Sequence, residues 1–378
     1  MAVPAEMISK PDWSCGLPHK VLESIAKKLS SGCCLLPPVL ILPFDPESSS
    51  EGNVTFYSIT EDKAINMLLP EVHGKVVCGV SHGWLALMDE AASVTLLNPF
   101  TRGRVMLPPA DRNVALASFK TVSMVDGGWV LHYVSGDTKP IKLQNMRDIF
   151  FREIVLSAPP ASGPSGGADC KAMAVLTYST EIAFCCFGDS SWTLIDSKLE
   201  YPVSSIVHCQ DKFIAIGSLG EISILSGTTD GTAPLTASPL LLLPPPANIQ
   251  QRSYMDVNGQ LYLVGSILRV SCGAWYETVV HKCDILGEMP CWLKVTDAED
   301  MAFFVSQDFS TGFGVASISN TYWNCVYLSE HRNCHQEESI NHHLEIVNIT
   351  TNQSDLQAYH PIIPGLEALC WIRPNIWN

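Results

Sequence analysis

The sequence predicts a mainly β protein, a propeller-like array of short antiparallel strands preceded by one short N-terminal helix. Three observations carry that prediction. Short apolar runs alternate with Gly, Pro, Asn and Asp turn signals from residue 56 onward. The runs group into units recurring about every 35 to 50 residues, the spacing of four-stranded propeller blades. Gly 25 and Pro 25 in 378 residues suit many tight turns rather than long helices. A sandwich or an irregular barrel is the alternative, because strand spacing alone does not separate these folds.

Taken in order, residues 12–29 (DWSCGLPHKVLESIAKKL) form the clearest helical pattern. Pro18 suits a first turn. Val21, Leu22, Ile25 and Leu29 share one face, and Lys27 and Lys28 lie where the helix dipole favours cations. Residues 35–43 (LLPPVLILP) are Pro-rich and read as an extended segment packed against the domain, followed by a polar loop to Gly52. The stretch Gly79–Pro109 anchors the array. Its runs Gly83–Met88, Val94–Leu97 and Val105–Leu107 are separated by Asp89, Glu90, Asn98-Pro99 and Arg102-Gly103. Later runs follow the same grammar, including Phe150–Leu156, Ala172–Tyr178, Ile182–Phe187, Lys212–Ile216, Leu240–Leu243 and Met301–Val305. Asn258-Gly259 between Ser253–Val257 and Gln260–Val264 is the strongest hairpin signal.

The net charge of −15 argues against nucleic-acid and anionic-membrane partners, which need clustered Lys and Arg. The 14 cysteines include no C-x-x-C pair, so zinc-ribbon and thioredoxin-type sites have no support. Residues 1–10 carry Glu6 and no apolar run, so no secretory leader is expected, and a cytosolic or nuclear setting follows. No cofactor, metal or catalytic residue is assigned. Neither a nucleophile-elbow serine nor a P-loop is read. His331, Cys334, His335, His342 and His343 cluster late in the chain, and the polar stretch His331–Asn341 reads as a solvated loop. Trp84, Trp129, Trp192 and Trp292 are expected in the core. Trp275 and Trp323 sit beside turns; core is the default for them too, but they are the best candidates for an exposed partner face.

Leu17-Pro18, Val21-Leu22, Ile25 and Leu29 resemble the opening of an F-box. The resemblance implies docking to the Skp-type adaptor of cullin–RING ubiquitin ligases through Leu17, Pro18, Leu22, Ile25 and Leu29. A complete F-box continues into further helices, whereas this chain passes from Ser30-Ser31-Gly32 into Cys33-Cys34-Leu35-Leu36-Pro37-Pro38. Five later blocks, GVSHGWLALMD…LLNPFTRGRVMLPP, FREIVLSAPP, IAFCCFGDSSWTLID, CWLKVTDAEDMAFFVS and NCVYLSE, are similar in order and spacing to the plant F-box family with a C-terminal domain of unknown function 295, the KIB-type β-propeller. That resemblance implies a partial F-box at residues 12–32, a connector at 33–55 and a propeller at 56–378. It also implies a non-enzymatic substrate receptor that binds a client protein beside an adaptor and a cullin. The alternatives are a propeller-only binding module that has lost the adaptor contact, and an enzyme using the central channel.

Overall fold

Most strand residues are apolar on both sheet faces, so each sheet needs a neighbour on either side, and a ring of sheets meets that need. The computed structural model describes residues 37–42, 44, 52–90, 92–110, 122–125, 128–132, 136–141, 151–160, 170–177, 179–227, 235–241, 245–246, 248–270, 274–285, 290–306, 312–316, 323–329, 343–358 and 370–375. The helix expected at residues 18–29 lies outside them, as do Leu17, Pro18, Leu22, Ile25 and Leu29. Among the described residues there is no α-helix, only a 3-10 turn at Pro70–Val72.

The chain opens with β1 (Val39–Ile41), β2 (Asn53–Ser58) and β3 (Lys63–Leu68). Blade 1 is β4 (Val76–Ser81), β5 (Trp84–Met88), β6 (Val94–Leu97) and β7 (Arg104–Met106). A separate three-stranded sheet follows, β8 (Val122–Val125), β9 (Gly128–His132) and β10 (Thr138–Ile141). Blade 2 is β11 (Phe151–Leu156), β12 (Lys171–Leu176), β13 (Glu181–Cys186) and β14 (Thr193–Asp196). Blade 3 is β15 (Val203–Cys209), β16 (Lys212–Gly217), β17 (Ile222–Ser226) and β18 (Thr236–Leu240). Blade 4 is β19 (Ile249–Val257), β20 (Gln260–Val270), β21 (Ala274–Cys283) and β22 (Trp292–Val295).

Blade 5 has five strands, β23 (Met301–Val305), β24 (Phe313–Ala316), β25 (Cys325–Leu328), β26 (His343–Asn348) and β27 (Ser354–Ala358). Its order is irregular: β24 forms the inner edge, and β23 pairs parallel with β25. Blade 6 closes the ring, because β28 (Cys370–Ile372) pairs with β1 in the order β28-β1-β2-β3. The architecture is therefore a six-bladed β-propeller.

Six apolar clusters match six blade interfaces. β12 shows how: Ala172, Ala174 and Leu176 pack toward blade 1, while Met173 and Val175 pack toward blade 3. Each fully buried Leu, Ile or Met contributes about 1.5–3 kcal/mol. Small residues set the spacing. A Cβ at Gly79 would stand 2.3 Å from the Ile154 carbonyl oxygen, so blades 1 and 2 meet backbone to backbone.

Local chemistry explains the joints. Asn98, expected as a turn residue, is buried. Its Oδ1 accepts from the Phe100 and Thr101 amides at 3.0 and 3.1 Å, and its Nδ2 donates to the Asn375 carbonyl at 2.7 Å. One side chain thus shapes a blade 1 turn and ties it to the segment after β28. The indole of Trp192 donates to the Pro108 carbonyl at 2.7 Å, joining blades 2 and 1. The Asn258-Gly259 hairpin is present, with φ of 53° and 77°, the doubly left-handed turn that Asn-Gly favours.

Several expectations need correction. The strand expected at 240–243 instead runs Thr236–Leu240 and pairs with β17. The run expected to end at Val264 continues to Val270. Residues 39–41, within the expected connector, supply a blade strand. Trp84 and Trp192 are buried and Trp292 packs against the core, as expected; Trp323 is partly buried, but Trp275 is exposed.

Candidate functional site

The inner strands β4, β11, β15, β19 and β28 end at one mouth of the ring. β4 and β11 run side by side in the same direction: Gly79 lies against Ile154, and the Leu156 amide donates to Ser81 Oγ at 3.2 Å. His82 follows at φ 52°, and its Nε2 donates to the Leu156 carbonyl at 3.2 Å. Asn375 Nδ2 donates to the His82 carbonyl, also at 3.2 Å, which brings the end of β28 to the same place. His208, Cys209 and Asp256 arrive from the ends of β15 and β19 and act electrostatically on one another or on His82. Gln210 Nε2 donates to the Gly259 carbonyl at 2.5 Å, binding the turns of blades 3 and 4.

Desolvation pushes the His82 pKa down, with Arg373 adding to the effect and Asp256 opposing it. Desolvation pushes the His208 pKa down, and His82 adds to this only when it is protonated. Both imidazoles are therefore neutral at pH 7. Burial, and then the Asp256 carboxylate, push the Cys209 thiol up. Asp256 Oδ1 is buried with no hydrogen-bond partner among the described residues.

The opposite end carries different chemistry. Ile249, the first residue of β19, pairs with Ile267, so Leu268, Arg269 and Val270 run past it as a projecting hairpin with Ala274, Trp275 and Tyr276. Val270 is 77% exposed and Trp275 41%. Glu277 stiffens the hairpin base, accepting from Arg269 Nε at 2.7 Å and Lys294 Nζ at 3.1 Å. Burial opposes ionisation of Glu277, but those two cations outweigh it and hold its carboxyl below the usual range. By register Trp275 shares one face of the hairpin with Arg269, and Leu268 and Val270 lie on the other, so exposed apolar side chains mark both faces, which has the character of a protein contact surface.

One motif escaped the reading of the sequence. Gly79-Val80-Ser81-His82-Gly83 has the G-x-S-x-G spacing of a nucleophile elbow. That motif needs a strand-to-helix turn. Here His82 and Gly83 form a tight turn between β4 and β5, and Ser81 Oγ is an acceptor for the Leu156 amide. No group of three or more metal-ligating side chains occurs among the described residues. His331, Cys334, His335 and His342 lie outside them, and Glu345 is buried in β26. Among the described residues no helix is long and apolar enough to cross a membrane.

The thiols yield a direct prediction. Burial pushes Cys78, Cys170 and Cys283 up to about 12, 11 and 12, so each stays protonated at pH 8, whereas Cys291 is exposed. A maleimide is expected to label Cys291 in the native protein well before those three. Peptide mass spectrometry reads this, and Cys78 labelling as fast as Cys291 would contradict the buried interface between blades 1 and 2.

Among curated proteins, none matches this chain. YCF48 from Cyanidioschyzon merolae is similar at 9% identity and a TM-score of 0.34, over 64% of this chain and 63% of that one. Apo AztD from Citrobacter koseri is similar at 9% identity and a TM-score of 0.33, over 89% and 97%. Likeness this remote carries no inference. The KIB1-4 beta-propeller family profile, in contrast, matches residues 56–358, most of the ring. With six blades, a closing strand pair and that match, the chain belongs to the KIB1-4 beta-propeller family.

Proposed function

We propose that this protein is a client-receiving subunit of a Skp–cullin–F-box ubiquitin ligase. The propeller holds a client protein, and residues 12–32 connect it to the Skp-type adaptor through Leu17, Pro18, Leu22, Ile25 and Leu29. The mechanism is proximity. A tethered client meets a ubiquitin-charged enzyme at raised effective concentration, and this chain does no covalent chemistry.

One observation carries the reading. Val39 pairs with Ile372, so the chain enters the ring at the mouth end, while the apolar hairpin of blade 4 projects at the other. Adaptor and client could then be engaged without sharing a surface.

The test uses the full chain. Calorimetry against the purified adaptor is expected to give micromolar or tighter binding, about −8 kcal/mol, lost in Leu22→Ala/Ile25→Ala. In parallel, Val270→Asp/Trp275→Asp is expected to keep the melting temperature and the adaptor affinity while losing the client. No adaptor binding would sink the ligase reading. It would favour a propeller-only module, which the direct passage from Gly32 into a Pro-rich strand segment already suggests. A client retained by the hairpin variant would move the client surface elsewhere.

A further inference from the structure

β20 runs past the start of β19. Ile249 pairs with Ile267, and β20 then continues through Leu268, Arg269 and Val270 with β21 alone, as far as Val270 opposite Ala274. The chain that leads into β19 turns aside at this point. The Ile249 amide donates to the Pro246 carbonyl at 3.1 Å, a tight turn that swings the backbone off the line of the strand. β20 therefore ends in an open edge, where another extended chain can add.

Alternation decides which backbone groups face that edge. The two-residue turn Asn258-Gly259 makes Val257 and Gln260 a mutually hydrogen-bonded pair, so every second residue of β20 from Gln260 directs its N–H and C=O toward β19. The one register shift lies in β19, between Gln250 and Ser253, and leaves the phase of β20 unbroken. Leu268 and Val270 belong to this outward series, and Ile267 and Arg269 turn to β21. The far side of the hairpin has the same phase. Thr278, opposite Ser266, turns away from β20 and is capped by Asn352, whose Oδ1 accepts from its amide at 3.2 Å and whose Nδ2 donates to its carbonyl at 2.7 Å. No such cap or strand stands beside Leu268 and Val270 among the described residues.

No proline or bulge blunts this edge, and its one charge, Arg269, is held by Glu277 at 2.7 Å. A segment added there sets two alternate side chains beside the exposed Leu268 and Val270, and the residue between them beside Arg269 and Trp275. Three residues are too few to join two folded copies, because a stable interface buries about 1,200 Å² or more. They suit reversible capture of a linear segment.

We propose that the open edge of β20 takes up an extended segment of the client as an added strand, antiparallel to β20, with apolar side chains two residues apart beside Leu268 and Val270. The proposal rests on the reading of this hairpin as the client surface. It states what the hairpin recognises, namely an extended backbone with an apolar–any–apolar spacing.

The probes are peptides selected on the full chain from a random library displayed on phage. They are expected to share apolar, often β-branched residues at i and i+2. N-methylation along a selected peptide should weaken binding about tenfold or more at alternate residues only, because alternate amides of a strand point to its partner. Hydrogen exchange at the Leu268 and Val270 amides should slow in the complex, while Ile267 and Arg269, already bonded to β21, change little. Val270→Pro removes an edge amide but keeps an apolar side chain and the pairing with β21, and should lose the peptides at an unchanged melting temperature; Val270→Ile should keep them. Peptides kept by Val270→Pro but lost in Val270→Asp/Trp275→Asp would overturn strand addition and leave the hairpin as the client surface. Peptides that bind both variants like the native chain would overturn both readings, and a selection that yields none would overturn the strand proposal. Dimerisation of the free chain that Val270→Pro abolishes would assign the edge to a second copy and overturn the client segment.

Discussion

Replacing Trp371 with alanine is expected to remove about 3–5 kcal/mol of stability, the range for truncating a large buried aromatic. Trp371 sits in β28, a strand of three residues that joins the end of the chain to its beginning. The side chain is 2% exposed. It meets Phe304 at 5.2 Å and 72°, and Tyr327 at 6.3 Å and 82°, both in the edge-on geometry that aromatic rings favour. Its amide donates to Ser306 Oγ at 3.0 Å. One side chain therefore joins blade 5 to the closing blade, and its loss weakens the point at which the ring opens. Urea unfolding measures the cost, with Trp275→Ala as a control expected to change stability by no more than about 1 kcal/mol. If Trp371→Ala behaves like that control, β28 does not hold the ring shut.

The second large effect is expected at Gly79. Alanine there adds one methyl group, yet the nearest atoms are the Ile154 carbonyl oxygen at 2.3 Å and amide nitrogen at 2.9 Å. Neither can turn aside as a flexible side chain would, because Ile154 is paired with Ala174 in blade 2. The blades must separate, and overpacking against backbone costs about 1–3 kcal/mol or more. Gly74 provides the contrast. A Cβ there meets nothing within 4 Å, but its φ is +67°, so alanine is penalised only by conformation, about 1 kcal/mol. Equal stabilities of the two variants, read from denaturant midpoints, would show that blades 1 and 2 are not in backbone contact.

The pattern of short runs and turns made the blades legible. Val94–Leu97, Met301–Val305 and Cys325–Leu328 lie where the sequence puts them, because each run is bounded by residues that break strands. What escaped notice has a physical cause. β1 and β28 are three residues each and acquire their pairing only from one another, more than three hundred residues apart. Ser354–Ala358 is an outer strand, exposed along much of its length, in which only Leu356 and Ala358 are apolar. The extension of β20 to Val270 was hidden because Leu268 and Val270 are apolar yet face solvent.

The candidate sites were legible only in fragments. Trp275 stood out as an aromatic beside a turn, but its exposure depends on how far β20 and β21 outrun β19. His82, His208, Asp256 and Arg373 are scattered singly in the sequence and carry no motif. They gather because inner strands of successive blades end at the same height around the channel.

By itself the sequence determined the spacing of short runs and turns that make blades, and the runs apolar on both faces that oblige a blade to have two neighbours. It also carries the amphipathic pattern at residues 18–29 on which the proposed adaptor contact rests. The tertiary structure alone decided that the ring closes at six blades through β28 and β1, that the hairpin of blade 4 runs past β19, and which titratable groups meet at the mouth. These depend on register and on contacts between residues far apart in the chain, and no local pattern of apolar and polar residues encodes them.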